Sequence, residues 1–151
     1  MSALNLVMLG APGAGKGTQA ERVVHARGIP KISTGDILRE AVAAGTEVGR
    51  QAKAILERGE LVGDEVVIGI VEERLTRHDA RNGFVLDGFP RTVAQARALD
   101  RMMNGHDPLV VVDIVVPEDV LLKRLLTRMV CASCGATAGG IDGGAAAPTC
   151  R

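Results

Sequence analysis

The chain has 151 residues, 46% of them hydrophobic, which is enough for one domain with a core of its own. Its 18 Lys and Arg offset 18 Asp and Glu, excluding the net positive charge of a general nucleic-acid binder, and its only two aromatics, Phe84 and Phe89, give a single strand nothing to stack on. The apolar run Leu4 to Leu9 is too short to span a bilayer and no basic segment precedes it, so a cytoplasmic protein without a membrane partner is expected.

That first run predicts a strand. It leads directly into Gly10-Ala-Pro-Gly13-Ala14-Gly15-Lys16-Gly17-Thr18 and then into a helical pattern, the setting a phosphate-binding loop requires. Glycines let successive N–H groups turn toward one anion, and the helix that follows adds its positive end. Lys16 supplies a point charge for the β and γ phosphates of a nucleotide, and the Thr18 hydroxyl a ligand for Mg²⁺. The plain alternative is a glycine-rich structural turn.

Ile29 to Ser33 predicts a second strand, followed by a stretch without strand signal. There Ile37, Leu38, Ala41 and Val42 fall at helical spacing, as do Val48, Ala52, Ile55 and Leu56. After a break at Gly59 to Gly63, Asp64 is placed to cap a helix with apolar positions Val66, Val67, Ile70, Val71 and Leu75. Phe84 to Leu86 predicts a third strand, with Asp87 at its carboxyl edge, where a Mg²⁺ shell needs oxygen, directly or through water. Leu109 to Val116 predicts a fourth; Asp113 within it reads as a structural partner rather than a ligand. Beyond Pro117, with Glu118 and Asp119 in a first turn, Leu121, Leu122, Leu125, Leu126 and Met129 stripe another helix. Gly135 to Pro148, mostly Gly and Ala, reads as a loop or hairpin.

Strands alternating with helices are the α/β, parallel-sheet signature. Near-continuous hydrophobicity in the first and last runs implies strands covered on both faces, hence a layered sandwich.

Beyond the loop, Ile32-Ser-Thr34-Gly-Asp36-Ile-Leu-Arg39, Asp87-Gly88-Phe89-Pro90-Arg91-Thr92 and Gln95 follow in order and at separations that resemble the adenylate kinases. The resemblance implies a P-loop three-layer sandwich with a central parallel sheet, a helical AMP-binding insertion and a lid. Core segments would be 1–32 and 64–126, the insertion 33–63, and 127–151 the start of a lid. It implies reversible transfer of the terminal phosphoryl group from MgATP to AMP by a monomer. Arg39 and Arg91 would grip the AMP phosphate, a task suited to planar guanidinium. Thr34, Glu60, Leu61, Val62, Gly88, Phe89, Pro90 and Gln95 would line the AMP pocket. Arg124 and Arg128 match the family's arginines that face ATP and the moving phosphoryl group, so the resemblance makes Lys16, Arg91, Arg124 and Arg128 the catalytic set. Outside that setting, Arg39 and Arg91 read as solvated surface arginines, and Arg124 and Arg128 as side chains laid over a core edge.

Cys131-Ala-Ser-Cys134 and Cys150 are three quarters of a Cys-x₂-Cys, spacer, Cys-x₂-Cys zinc pattern, and the resemblance puts such a structural zinc in the lid; three separate thiols are the alternative. On this reading the chain stops inside the lid, and poor activity is expected of it alone. Two rival functions are another nucleoside monophosphate kinase, for UMP, CMP or GMP, and a nucleotide-binding module without turnover. Thr34 and Gln95 favour adenine.

Overall fold

A computed structural model describes residues 3–58, 62–105, 107–127, 129–130 and 137–138. The chain forms two compact units, one of Met1–Leu9 with Gly17–Asp113 and the other of Gly10–Lys16 with Ile114–Arg151.

The first unit is organised by a sheet of order β2-β3-β1-β4, made of β1 (Leu4–Gly10), β2 (Lys31–Ser33), β3 (Gly83–Asp87) and β4 (Leu109–Ile114). β3 pairs in parallel with β1 on one side and with β2 on the other. Asn5 to Met8 in β1 and Gly83 to Leu86 in β3 are buried without interruption. Neighbouring residues of a strand point to opposite faces, so unbroken burial means that both faces are covered, as expected of β1. β2 begins two residues later than its apolar run. Pro30 carries no N–H to give to a ladder, although its carbonyl accepts from Val85 N at 3.0 Å.

The expectation that the last strand is covered on both faces does not hold. Val110, Val111 and Val112 are 46%, 56% and 37% exposed, and the strand ends at Ile114 rather than Val116. β4 lies at the edge of the sheet, where continuous hydrophobicity does not bring two-sided cover among the described residues. Asp113 is exposed and makes no hydrogen bond or ion pair among them, so it is not the structural partner it was read as.

The segment after β2 folds as two helices, α2 (Thr34–Ala44) and α3 (Glu47–Glu57). Ser33 caps α2, its hydroxyl accepting from Asp36 N at 3.4 Å, and Gly45 closes it with φ +64°. Thr46 performs the capping role for α3, accepting from Gly49 N at 3.1 Å. Gly49 and Ala52, not Val48, form the buried face of α3. A Cβ on Gly49 would overlap the Ala41 carbonyl and come within 2.7 Å of Val42 N, so only glycine lets these helices approach so closely. Backbone cannot yield as a side chain does. Gly49→Ala is therefore expected to lower stability by about 2 to 3 kcal/mol, read as a shifted urea midpoint. An unchanged midpoint would show that the helix pair can part without loss.

α4 (Asp64–Leu75) buries Val67, Ile70 and Val71, and α5 (Val93–Met102) buries Gln95, Ala98 and Leu99. The core cluster joins Val7, Ile32, Val67, Val71, Phe84, Leu86, Phe89 and Leu99, so the two aromatics sit inside an otherwise aliphatic interior.

In the second unit α6 (Glu118–Leu126) follows Pro117, and β5 (Met129–Val130) pairs antiparallel with β6 (Thr137–Ala138). Met129 thus belongs to a strand and not to the helix stripe. Leu122, Leu125 and Leu126 are exposed and α6 has no buried residue, its apolar side being covered only in part among the described residues, where Leu125 borders Gly13. No helix among the described residues is long and apolar enough to cross a membrane.

Candidate functional site

The glycine-rich loop occupies the second unit. Gly10, Gly13 and Gly15 have positive φ, and Ala14 N donates to Ala11 O at 3.1 Å to close a turn. Lys16 folds back over this turn, its Nζ donating to Gly10 O at 2.8 Å and Ala11 O at 2.9 Å. An ammonium has three donors, so one remains for an anion. Arg124 reaches from α6 to the same loop, its Nη1 lying 3.4 Å from Gly13 O and 3.3 Å from Ala14 O. Lys16, Gly13, Ala14, Gly15 and Arg124 are therefore neighbours. Arg128 lies outside the described residues, as do Glu60, Leu61, Cys131, Cys134 and Cys150.

In the first unit, α1 (Lys16–Arg27) carries Thr18 exposed in its first turn, and Asp87 ends β3 beside it. A Cβ on Gly17 would stand 3.5 Å from Asp87 Oδ2. The Asp87 carboxylate is partly buried and has no hydrogen-bonding or ionic partner among the described residues. A half-desolvated anion without a partner is suited to a cation.

The parallel register puts Ser33 of β2 and Met8 of β1 on either side of Asp87, so the carboxyl ends of three strands form one edge. Thr34 stands there at the first position of α2, 5% exposed, with its Oγ1 donating to Gly88 O at 3.3 Å. Gly88 opens a turn with φ +82°, and a Cβ there would come within 2.7 Å of Arg91 Nη2. Arg91 also donates through Nε to Gly88 O, at 2.7 Å. Its four Nη hydrogens have no acceptor among the described residues, so the guanidinium is anchored at one edge and open along the others.

Gln95, 4% exposed, lies under this turn. Its Oε1 accepts from Arg91 N at 2.8 Å and its Nε2 donates to Asp64 Oδ1 at 2.7 Å. Thr92 caps α5, its hydroxyl accepting from Gln95 N at 3.2 Å while donating to Asp64 Oδ2 at 2.7 Å. Asp64 was expected to cap α4. Gly63 holds that position instead, with no side-chain bond, and the Asp64 carboxylate serves the start of α5.

Other expected pocket residues take different surroundings. The Phe89 side chain is fully buried in the core and only its backbone borders the turn; Pro90 follows through a cis bond and is partly buried. Val62 is partly buried against the core. Arg39 is mostly exposed and paired with Asp36. Partial burial raises the Asp36 pKa, but hydrogen bonds from Arg39 and Ser33, with the charges of Arg39 and Lys31, outweigh it and hold the carboxyl below its ordinary value.

Asp64 is the site residue that sequence reasoning missed. Thr92-Val-Ala-Gln95 has the form of a capping box, which could have signalled that Gln95 turns back toward its own helix start.

The adenylate kinase family model matches residues 8–143, most of the chain. The chain belongs to the adenylate kinase family. It is 58% identical over 135 residues to the adenylate kinase of Archaeoglobus fulgidus, 60% over 134 residues to that of Thermodesulfovibrio yellowstonii and 57% over 136 residues to that of Moorella thermoacetica. These alignments take in 87% to 89% of this chain and 62% to 63% of each relative, so the chain spans under two thirds of their length.

Proposed function

We propose that this family member transfers the terminal phosphoryl group of MgATP reversibly to AMP, giving two ADP. The observation that carries the reading is the turn at Gly88, which gathers Thr34, Arg91 and Gln95 at the carboxyl ends of β2 and β3. Thr34 has spent its only proton on Gly88, so it offers lone pairs, which suit the amino group of adenine and not the carbonyl of guanine. The Gln95 amide keeps one N–H and one lone pair for a base edge. Arg91 has an open fork for the phosphate, and Arg39 joins it by leaving or sharing Asp36. Gly88, Val62 and the backbone of Phe89 and Pro90 complete the AMP pocket in this reading, with Glu60 and Leu61.

On the donor side, Gly13 to Thr18 cradle the ATP phosphates, with the remaining Lys16 hydrogen directed to them. Arg124 and Arg128 add positive charge. Thr18 and Asp87 offer the oxygen ligands that Mg²⁺ takes, and bound Mg²⁺ would neutralise phosphate charge during transfer. An AMP phosphate oxygen is already anionic, so no side chain need remove a proton. Catalysis rests on positioning and on charge. Cys131, Cys134 and Cys150 have the spacing for a structural zinc that would not take part in the chemistry.

Arg39→Ala tests the acceptor side, with AMP and ATP titrations read separately and ADP formation followed in a coupled assay. We expect the AMP requirement to rise about tenfold or more, with ATP binding nearly intact. No change toward AMP would favour a nucleotide-binding module without turnover.

A further inference from the structure

Both oxygens of Asp64 are in use, Oδ1 accepting from Gln95 Nε2 and Oδ2 from Thr92 Oγ1, each at 2.7 Å. On its other side the same Gln95 amide accepts from Arg91 N at 2.8 Å. A carboxylate can only accept and a backbone N–H can only donate. Turning the amide over would set oxygen against carboxylate and N–H against N–H, in a residue only 4% exposed. The orientation is thus dictated by its partners and not by a choice between two similar atoms.

The locked amide presents its remaining N–H and lone pair in a fixed order. Order is what separates the purines. Adenine sets an amino donor beside the N1 acceptor, whereas guanine sets the O6 acceptor beside an N1–H donor. An amide free to turn could serve either. We propose that Asp64 is a positioning residue that, together with the Arg91 N–H, selects adenine over guanine by locking the Gln95 amide. This rests on the reading above, in which Gln95 faces the base of the acceptor nucleotide.

Asp64→Asn is the natural test because it keeps the shape but adds a donor. An asparagine can turn to satisfy either orientation of Gln95 on that side, and the Thr92 hydroxyl can follow by donating or accepting, which leaves the Arg91 N–H alone to oppose a turned amide. Calorimetric titration of the chain with AMP and with GMP should show the preference for AMP reduced about threefold or more in Asp64→Asn, mainly through tighter GMP binding. Asp64→Glu, which keeps two acceptors, should retain more of it. A merely structural role would weaken both nucleotides alike, and an unchanged AMP to GMP ratio in folded Asp64→Asn would overturn the proposal. If the unsubstituted chain shows no preference for AMP, the parent reading fails instead, and this one with it. Should Asp64→Asn not fold, nuclear magnetic resonance of the unsubstituted chain decides. Scalar coupling from Gln95 Nε2 to the Asp64 carboxyl carbon, with two distinct amide protons, is expected; averaged amide protons without coupling would refute the lock.

Discussion

Lys16→Met is expected to lower phosphoryl transfer on the order of 10² to 10³-fold, the scale of losing one preorganised charged donor at developing negative charge. ATP affinity should fall with it. The side chain has two tasks in the proposed function, since its ammonium holds the carbonyls of Gly10 and Ala11 and would give its third hydrogen to phosphate. Methionine fills similar volume and performs neither. Because Ala11 is exposed and Gly10 is partly exposed at the end of β1, their carbonyls can turn to water, so loss of fold is not expected. The check is ATP titration together with coupled ADP formation, with the unfolding midpoint as control. Transfer within a few-fold of the unsubstituted protein would remove Lys16 from the chemistry.

Phe89→Ala is expected to cost about 3 to 5 kcal/mol, the range for emptying a fully buried aromatic site. Phe89 has no exposed surface and touches a core drawn from β1, β2, β3, α4 and α5. No other aromatic except Phe84 shares that core, so the aliphatic neighbours would have to close a large void. The lesion also lies between Gly88 and Arg91, and the turn that gathers Thr34, Arg91 and Gln95 should loosen with it. Urea unfolding measures the first effect and AMP titration the second. A loss under about 1 kcal/mol would mean that the core collapses around the gap.

The sheet and its loop were legible because local signals agreed. Leu4 to Leu9 is apolar throughout, and the glycines, Lys16 and Thr18 that follow have few other uses in that order. β4 read as covered on both faces for the same reason and is not. Hydrophobic patterning reports which surface seeks cover, but not whether an edge position provides it, and Val111 and Leu126 are exposed in consequence. The candidate site was legible as a set of residues rather than as contacts. Thr34, Arg91 and Gln95 were named from their motifs, yet the meeting of Thr34 with Gly88 depends on strand register, which no local pattern contains. Asp64 escaped because a helix start explains an aspartate fully until Thr92, 28 residues away, proves to be its partner. Phe89 sits inside the same motif but serves the core, because a bulky apolar side chain beside a strand end gains more from burial than from a polar pocket.

The central claim is that the edge formed by β2, β3 and the start of α5 holds adenosine monophosphate. Equilibrium titration of the chain with AMP, GMP, CMP and UMP under matched conditions tests it most directly, since binding does not depend on turnover. The account predicts saturable binding of AMP, at least about tenfold tighter than any other monophosphate and weakened by Arg91→Ala. Tighter binding of a pyrimidine nucleotide, or AMP binding that Arg91→Ala leaves unchanged, would contradict it.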